Sequence, residues 1–214
     1  MTNRWLPRPE RTLPTPRKPI ADVYDAAYSG VPNWDIGRPQ QAFVHLQEAG
    51  RIESPVLDVG CGTGELALYL ASHGHRVLGI DLASNAIRQA KLKARWRRIP
   101  AQFLVWDAVD LGRLAEAGLS VRTVVDSAMF HILGDTERGR FVHGLESVIE
   151  PGGLYCLLGD ARRDPRDSYG ITPRELRDRF ADGWTVEFVY ETIFERRYSA
   201  NPAYLAGIRR PIDS

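Results

Sequence analysis

The sequence predicts an α/β protein with a mostly parallel, doubly wound sheet, helices on both of its faces and a helical segment ahead of the core. From Pro55 onward, short β-branched or apolar runs alternate with longer helical patterns, as strands and crossover helices do. The first run, Val56-Leu-Asp-Val59, leads straight into Gly60-Cys-Gly-Thr-Gly64, a glycine-rich passage from strand to helix. The last two strand-like runs follow one another with no helical stretch between them, which makes them an antiparallel pair.

A chain of 214 residues, 43% of them hydrophobic, suits one domain with a substantial core. Residues 1–19 carry Pro7, Pro9, Pro14, Pro16 and Pro19 among Arg4, Arg8, Arg11, Arg17 and Lys18, a composition that predicts a flexible arm. Residues 20–214 form the single domain, with 20–50 as a helical lid and 55–210 as the core. The lid has helical stretches around Asp22 to Tyr28 and Gln40 to Ala49, divided by the turn formers Ser29-Gly-Val-Pro-Asn33. Core strands are predicted at Val56 to Val59, Val77 to Ile80, Gln102 to Val105, Val121 to Val125 and Gly153 to Leu158. Helices between them are predicted at Glu65 to His73, Ser84 to Arg97, Leu111 to Ala117 and Thr136 to Ile149, each long enough for a right-handed crossover. Thr172 and Pro173 open a last helix to Phe180 as N-cap and first residue, before strands at Thr185 to Arg196 and Ala203 to Arg209.

Composition narrows the function. The 28 basic and 27 acidic residues nearly cancel, so neither nucleic acid nor an anionic membrane is an expected partner. Arg88, Lys91, Lys93, Arg95, Arg97 and Arg98 spread over more than one helix face and read as solvated surface. Cys61 and Cys156 form no paired motif, and His73 and His75 have no carboxylate beside them, so neither disulfide nor metal is expected. No apolar run reaches the roughly 18 residues of a membrane span, and a cytoplasmic, soluble protein is expected.

The glycine turn is a ligand site by position, since missing side chains let a ligand approach the backbone and the helix N-terminus. Nicotinamide enzymes use a related turn, but here Gly64 follows Gly62 by two positions and Glu65 stands where their fingerprint has glycine or alanine. An acidic residue there opposes a pyrophosphate and suits S-adenosylmethionine, whose sulfonium and ammonium are cationic. Asp81 and Asp107 each follow a predicted strand, on the rim where open α/β sheets bind ligands. Asp81 lies about 20 residues past the first glycine, where a carboxylate meets ribose hydroxyls. Asp107 is placed to reach an adenine amino group, and Asp58 either holds the glycine turn or meets the methionine ammonium.

Val56-Leu-Asp-Val-Gly-Cys-Gly-Thr-Gly64, with Gly79-Ile-Asp81 and Phe103-Leu-Val-Trp-Asp107, resembles the seven-stranded class I S-adenosylmethionine methyltransferases over about residues 20–210. The resemblance implies strand order 3-2-1-4-5-7-6 with the seventh strand antiparallel. It also implies that Gly60, Gly62 and Gly64 line the methionine end, Asp81 the ribose and Asp107 the adenine. Leu82 and Ala108, each directly after one of those carboxylates, and Asp126, after the fourth strand, complete the set assigned to the cofactor. Tyr24-Asp-Ala-Ala-Tyr28 and Trp34-Asp-Ile-Gly-Arg38 resemble the entry region of thiopurine, halide/thiol and bacterial quinone or heterocycle methyltransferases. That likeness assigns Trp34 and Arg38 to the cofactor, and Tyr24 and Tyr28 to closing the pocket.

Methyl transfer needs alignment of a nucleophile with an activated carbon more than it needs catalytic side chains. His131, in Asp126-Ser-Ala-Met-Phe-His131, is the candidate base because its ordinary pKa lies near neutrality. Phe130, Arg163 and Tyr169 are candidate acceptor contacts, in a region where Asp160, Arg162, Arg163 and Tyr169 form a polar loop. An Asn-Pro-Pro-Tyr motif of nucleic-acid amino methyltransferases is absent. The expected acceptor is a small molecule bearing a thiol, phenol, quinol or aromatic heterocycle, and the product is S-adenosylhomocysteine. Two rival readings are a non-catalytic cofactor-binding sensor or assembly module, and a nicotinamide oxidoreductase.

Overall fold

The computed structural model describes residues 18–212 apart from 165 and 168. Its strands, β1 (Val56–Val59), β2 (Val77–Asp81), β3 (Gln102–Val105), β4 (Val121–Ser127), β5 (Ile149–Asp160), β6 (Thr185–Glu195) and β7 (Ala200–Arg209), form one sheet in the order β3-β2-β1-β4-β5-β7-β6. β7 runs antiparallel to both neighbours, and every other adjacent pair is parallel. The expected fold class, strand order and antiparallel strand are all present. Because β7 reverses twice, β6 points the same way as β1 to β5, and its carboxyl end reaches the same rim.

The helices are α1 (Lys18–Ala27), α2 (Gln41–Glu48), α3 (Glu65–Ser72), α4 (Ser84–Arg97), α5 (Leu111–Glu116), α6 (Asp135–Val148) and α7 (Pro173–Arg179). All four residues of β1 are buried, and its period of two sends Leu57 and Val59 to one core and Val56 to the other. The first core takes Leu111, Phe141, Leu145 and Leu176 from α5, α6 and α7; the second takes Phe43, Leu68, Ile87 and Ala90 from α2, α3 and α4. Burial on both faces explains why the strands read as continuous apolar runs. Thr172 caps α7 as expected, its hydroxyl accepting the Glu175 N–H at 3.1 Å.

Boundaries differ where glycine and proline mislead. β5 begins at Ile149 rather than Gly153, because Pro151-Gly-Gly153 is absorbed in an irregularity of the β4–β5 pairing, where Gly152 takes φ +73°. α1 takes in Lys18 and Pro19, since proline is tolerated in a first helical turn; the rest of the expected arm lies outside the described residues. Two single 3₁₀ turns, Ala108–Asp110 and Phe130–Ile132, had no sequence signal. No helix among the described residues is long and apolar enough to cross a membrane.

Candidate active site

The carboxyl ends of β1 to β4 and β6 meet at two adjoining cavities of about 290 and 80 Å³, which share Tyr28, Trp34, Gly60, Ser127 and Phe194 as walls. The smaller lies against the glycine turn, with Asp58, Gly62, Thr63 and Arg38 on it. The larger has Asp81, Leu82, Asp107 and Ala108 at one side and His131, Tyr169 and Arg196 at the other.

The turn works as a cradle. Gly60 and Gly62 take φ +66° and +52°, and a Cβ on Gly62 would stand 2.7 Å from the Tyr28 hydroxyl. Gly64 faces neither cavity, which corrects its assignment to the cofactor. A Cβ there would stand 2.9 Å from Ala90 and Phe103, so this glycine serves the close packing of α3's start on α4 and β3.

Carboxylates line the β1–β3 side. Asp58 is 1% exposed, and its Oδ2 has no hydrogen-bond partner among the described residues. Burial, with Asp126 and Asp81 nearby, pushes its pKa well above the usual carboxylate range. Asp81 accepts the Gly62 N–H at 2.9 Å and the Ala83 N–H at 2.8 Å, and burial raises its pKa to about 6. Each of its oxygens keeps a second lone pair for a ligand. Asp107 accepts the Val109 N–H at 3.1 Å and borders the larger cavity. Asp126 borders neither, contrary to its assignment: its oxygens accept the Met129 and Phe130 N–H groups and, at 2.9 Å, the Tyr155 hydroxyl. It shapes the turn after β4.

Glu65 is met by Lys93 at 2.7 Å and by both terminal nitrogens of Arg97. The case against a pyrophosphate therefore rests on the buried carboxylates rather than on Glu65. Two of the basic residues discounted as solvated surface have this partner.

The lid closes from above. Trp34 donates from Nε1 to the Tyr28 hydroxyl at 3.0 Å and packs edge-on against Tyr24 and Tyr28, with centroids 6.4 and 6.1 Å away. Tyr24, Tyr28 and Trp34 all border the larger cavity. Asp25 accepts the Asn85 N–H at 2.8 Å and the Ser84 hydroxyl, so α1 caps α4, whose own N-cap position, Ala83, has no side-chain acceptor. Arg38 makes the two-pronged bond expected of it, but on Glu195, at 2.7 and 3.1 Å. Its guanidinium ties the lid to β6 beside the smaller cavity.

At the other side, His131 is 3% exposed and its Nδ1 accepts the Asp160 backbone N–H at 2.7 Å. A backbone N–H can only donate, so the neutral ring carries its proton on Nε2. Burial lowers the pKa to about 4, so the ring is neutral at pH 7. His131 is thus a donor toward the cavity, which corrects its assignment as a base. Tyr169 borders the cavity, donates its hydroxyl to Asp160 and packs 4.8 Å from the His131 ring. Phe130 is fully buried against Phe141 and under the Arg138 guanidinium, and Arg163 bonds Asn201 at 3.3 Å away from the cavity. Neither reaches an acceptor there.

Sequence reasoning missed Phe194, Arg196, Trp106 and Met129 as walls of the larger cavity. The direction of β6, deducible from the two reversals, could have brought Phe194 and Arg196 to this rim. Trp106 and Met129 each sit beside a residue that was singled out and carry no separate signal.

A methyltransferase domain family matches residues 56–153. A 2-heptyl-1-hydroxyquinolin-4(1H)-one methyltransferase of Mycobacteroides abscessus is 31% identical over 78% of this chain and 78% of its own. A solved chain from the conversion of a disulfide bond into a thioacetal group during echinomycin biosynthesis is 34% identical, with TM-score 0.78 over 91% of this chain and 94% of that one. The Burkholderia thailandensis 1,6-didemethyltoxoflavin-N1-methyltransferase, solved with S-adenosylhomocysteine, shares the fold at 21% identity, with TM-score 0.68 over 97% and 94% of the two chains. With its sheet order, glycine cradle and rim of carboxylates, the chain belongs to the S-adenosylmethionine-dependent methyltransferases.

Proposed function

We propose that this protein moves a methyl group from S-adenosylmethionine to a sulfur, nitrogen or oxygen nucleophile on a small thiol-bearing or aromatic acceptor. The observation that carries this reading is the joining of an acidic cavity at the glycine turn to a larger one walled by Tyr24, Trp34, Trp106 and Phe194. Asp58 Oδ2, buried and without a partner among the described residues, fits a cationic ammonium, since a paired charge removes the cost of burying a carboxylate alone. In this reading Gly60, Gly62 and Asp58 hold the methionine end, Asp81 and Leu82 the ribose, and Asp107 and Ala108 the adenine, with Trp34 and Arg38 closing over them.

When bound, the cofactor would supply a methyl carbon made electrophilic by its positive sulfur, with the neutral thioether as the leaving group. What the chain supplies is alignment and exclusion of water: Tyr28 and Trp34 cover the junction of the two cavities, and Tyr169 flanks the acceptor side. A methyl-transfer screen over thiols, iodide, phenols, quinols, ring nitrogens and N-hydroxyquinolones tests the reading. N-hydroxyquinolones join it because the M. abscessus relative is named for one. Turnover of one class supports the proposal. Tight S-adenosylhomocysteine binding with no turnover across the screen contradicts it in favour of a sensor.

Cofactor affinity should depend on pH. A cationic ligand favours ionised carboxylates, so affinity is expected to fall as pH drops through about 6, where Asp81 takes up a proton. Calorimetry at pH 6 in buffers of different ionisation enthalpy should register proton release on binding. The stability sign is the reverse for the free protein. Asp81 has a folded pKa above its unfolded value of about 3.9, so its stabilising contribution is full below that pH and lost as pH rises through about 6.

A further inference from the structure

The two sides of the larger cavity differ in polarity. Carboxylates stand at the β1–β3 side, while the β5–β6 side presents donors. His131 Nε2 carries the proton and has no partner among the described residues, since Nδ1 holds the Asp160 N–H. Arg196 borders the same cavity from the end of β6, with its Nη2 bonded to Asp160 Oδ2 at 2.6 Å and to the Tyr169 hydroxyl at 3.0 Å. Its Nε and Nη1 donate to no protein group among the described residues. The Asp160 carboxylate also takes Asn201 Nδ2 at 2.9 Å, so one carboxylate fixes Arg196, Tyr169 and Asn201, while its backbone fixes His131.

We infer that His131 Nε2–H and the free edge of Arg196 form an oxyanion subsite that binds the acceptor as an ionised oxygen, such as a phenolate, enolate or N-oxyanion on an aromatic ring. This deepens the methyl-transfer reading and rests on it. The acceptor gives up its proton to water on binding, and the protein holds the resulting anion opposite the acidic side reserved for the cation. No side chain has to act as a base: His131 has no free lone pair, and Asp160, whose Oδ2 takes Tyr169, Asn201 and Arg196 while its buried Oδ1 has no partner among the described residues, does not line the cavity. Glu137, the other carboxylate bordering this side, accepts the Gly134 N–H at 2.9 Å, and Arg138 lies behind His131, bonded to its carbonyl oxygen. Two donors, one of them charged, explain how a cavity with mostly apolar walls accepts a negative oxygen.

The test uses 4-nitrophenol, whose anion has its own absorption band, with 4-nitroanisole as a probe that cannot ionise. Both are titrated into the protein already saturated with S-adenosylhomocysteine. At a pH below the free pKa of the phenol, the bound probe is expected to show the phenolate band. Arg196→Met and His131→Phe should each weaken its binding about tenfold or more, the scale of a charge-assisted hydrogen bond. Arg196→Lys should restore part of it, and 4-nitroanisole binding should change less than about twofold in all three. S-adenosylhomocysteine affinity in each variant serves as the check on folding. A bound phenol that stays neutral, no binding of the phenol at all, or equal losses for the two probes would overturn the subsite. Those outcomes leave methyl transfer to a thiol or ring nitrogen standing, whereas failure to bind S-adenosylhomocysteine removes the reading beneath both.

Discussion

Asp81→Ala is expected to weaken S-adenosylhomocysteine binding by about a hundredfold or more. Its carboxylate accepts the N–H groups of Gly62 and Ala83, so it holds the glycine turn and the start of α4 in one geometry. Removing it leaves both donors unpaired and takes away the ligand's acceptor on the ribose side. A hydrogen bond to a charged group contributes about 1.5–3 kcal/mol, and each 1.4 kcal/mol is about tenfold in affinity. Two such bonds therefore correspond to about a hundredfold or more. Asp81→Asn, which keeps one acceptor oxygen, should fall between. His131→Ala, on the opposite side of the cavity, should leave affinity within about twofold. Calorimetric titration of the three variants checks this, and equal affinities for Asp81→Ala and His131→Ala would show that the ribose side has been misplaced.

Glu175→Ala should lower the unfolding free energy by about 3–5 kcal/mol, the scale for removing one partner of a buried ion pair. Glu175 accepts from Arg138 at 2.5 Å, Arg162 at 2.5 Å and Arg179 at 2.9 Å. Burial raises its pKa, but the bonds from Arg138 and Arg179 outweigh this and hold it below the ordinary value. Arg138 is itself 2% exposed, lies over the Phe130 ring and donates to the carbonyls of His131 and Gly170 at 2.9 and 3.0 Å. Without Glu175 its buried charge loses this carboxylate. Urea unfolding with an unchanged m-value is the measurement, and a loss under about 1 kcal/mol would contradict it. Glu175→Gln should cost less, since one oxygen still accepts. Because Arg138 fixes the backbone of His131 and Gly170, the Ala variant should also weaken acceptor binding before it weakens cofactor binding.

The cofactor side was more legible in the sequence than the acceptor side, for a physical reason. A glycine turn between strand and helix and a carboxylate at the end of the next strand are local devices, set by backbone conformation and strand length. Asp58, Gly60, Gly62, Asp81 and Asp107 therefore all reach the cavities. Gly64 and Asp126 sit in the same motifs but face inward, and only packing against Ala90, Phe103 and Tyr155 reveals that. On the acceptor side, contacts span distant segments: Arg196 meets Asp160, and Arg38 meets Glu195. Such pairings join residues 36 and 157 positions apart, which no local pattern records. The role of His131 shows the limit most clearly, since its type suggested a base and one backbone N–H from β5 made it a donor.

The proposed S-adenosylmethionine site spans the small acidic cavity at the glycine turn and the carboxylate side of the larger one. Calorimetric titration of the wild-type protein with S-adenosylhomocysteine, beside a matched titration with NADH, tests it most directly. Saturable one-site binding of S-adenosylhomocysteine and no binding of NADH are expected; binding of NADH alone, or of neither, would overturn the cofactor assignment.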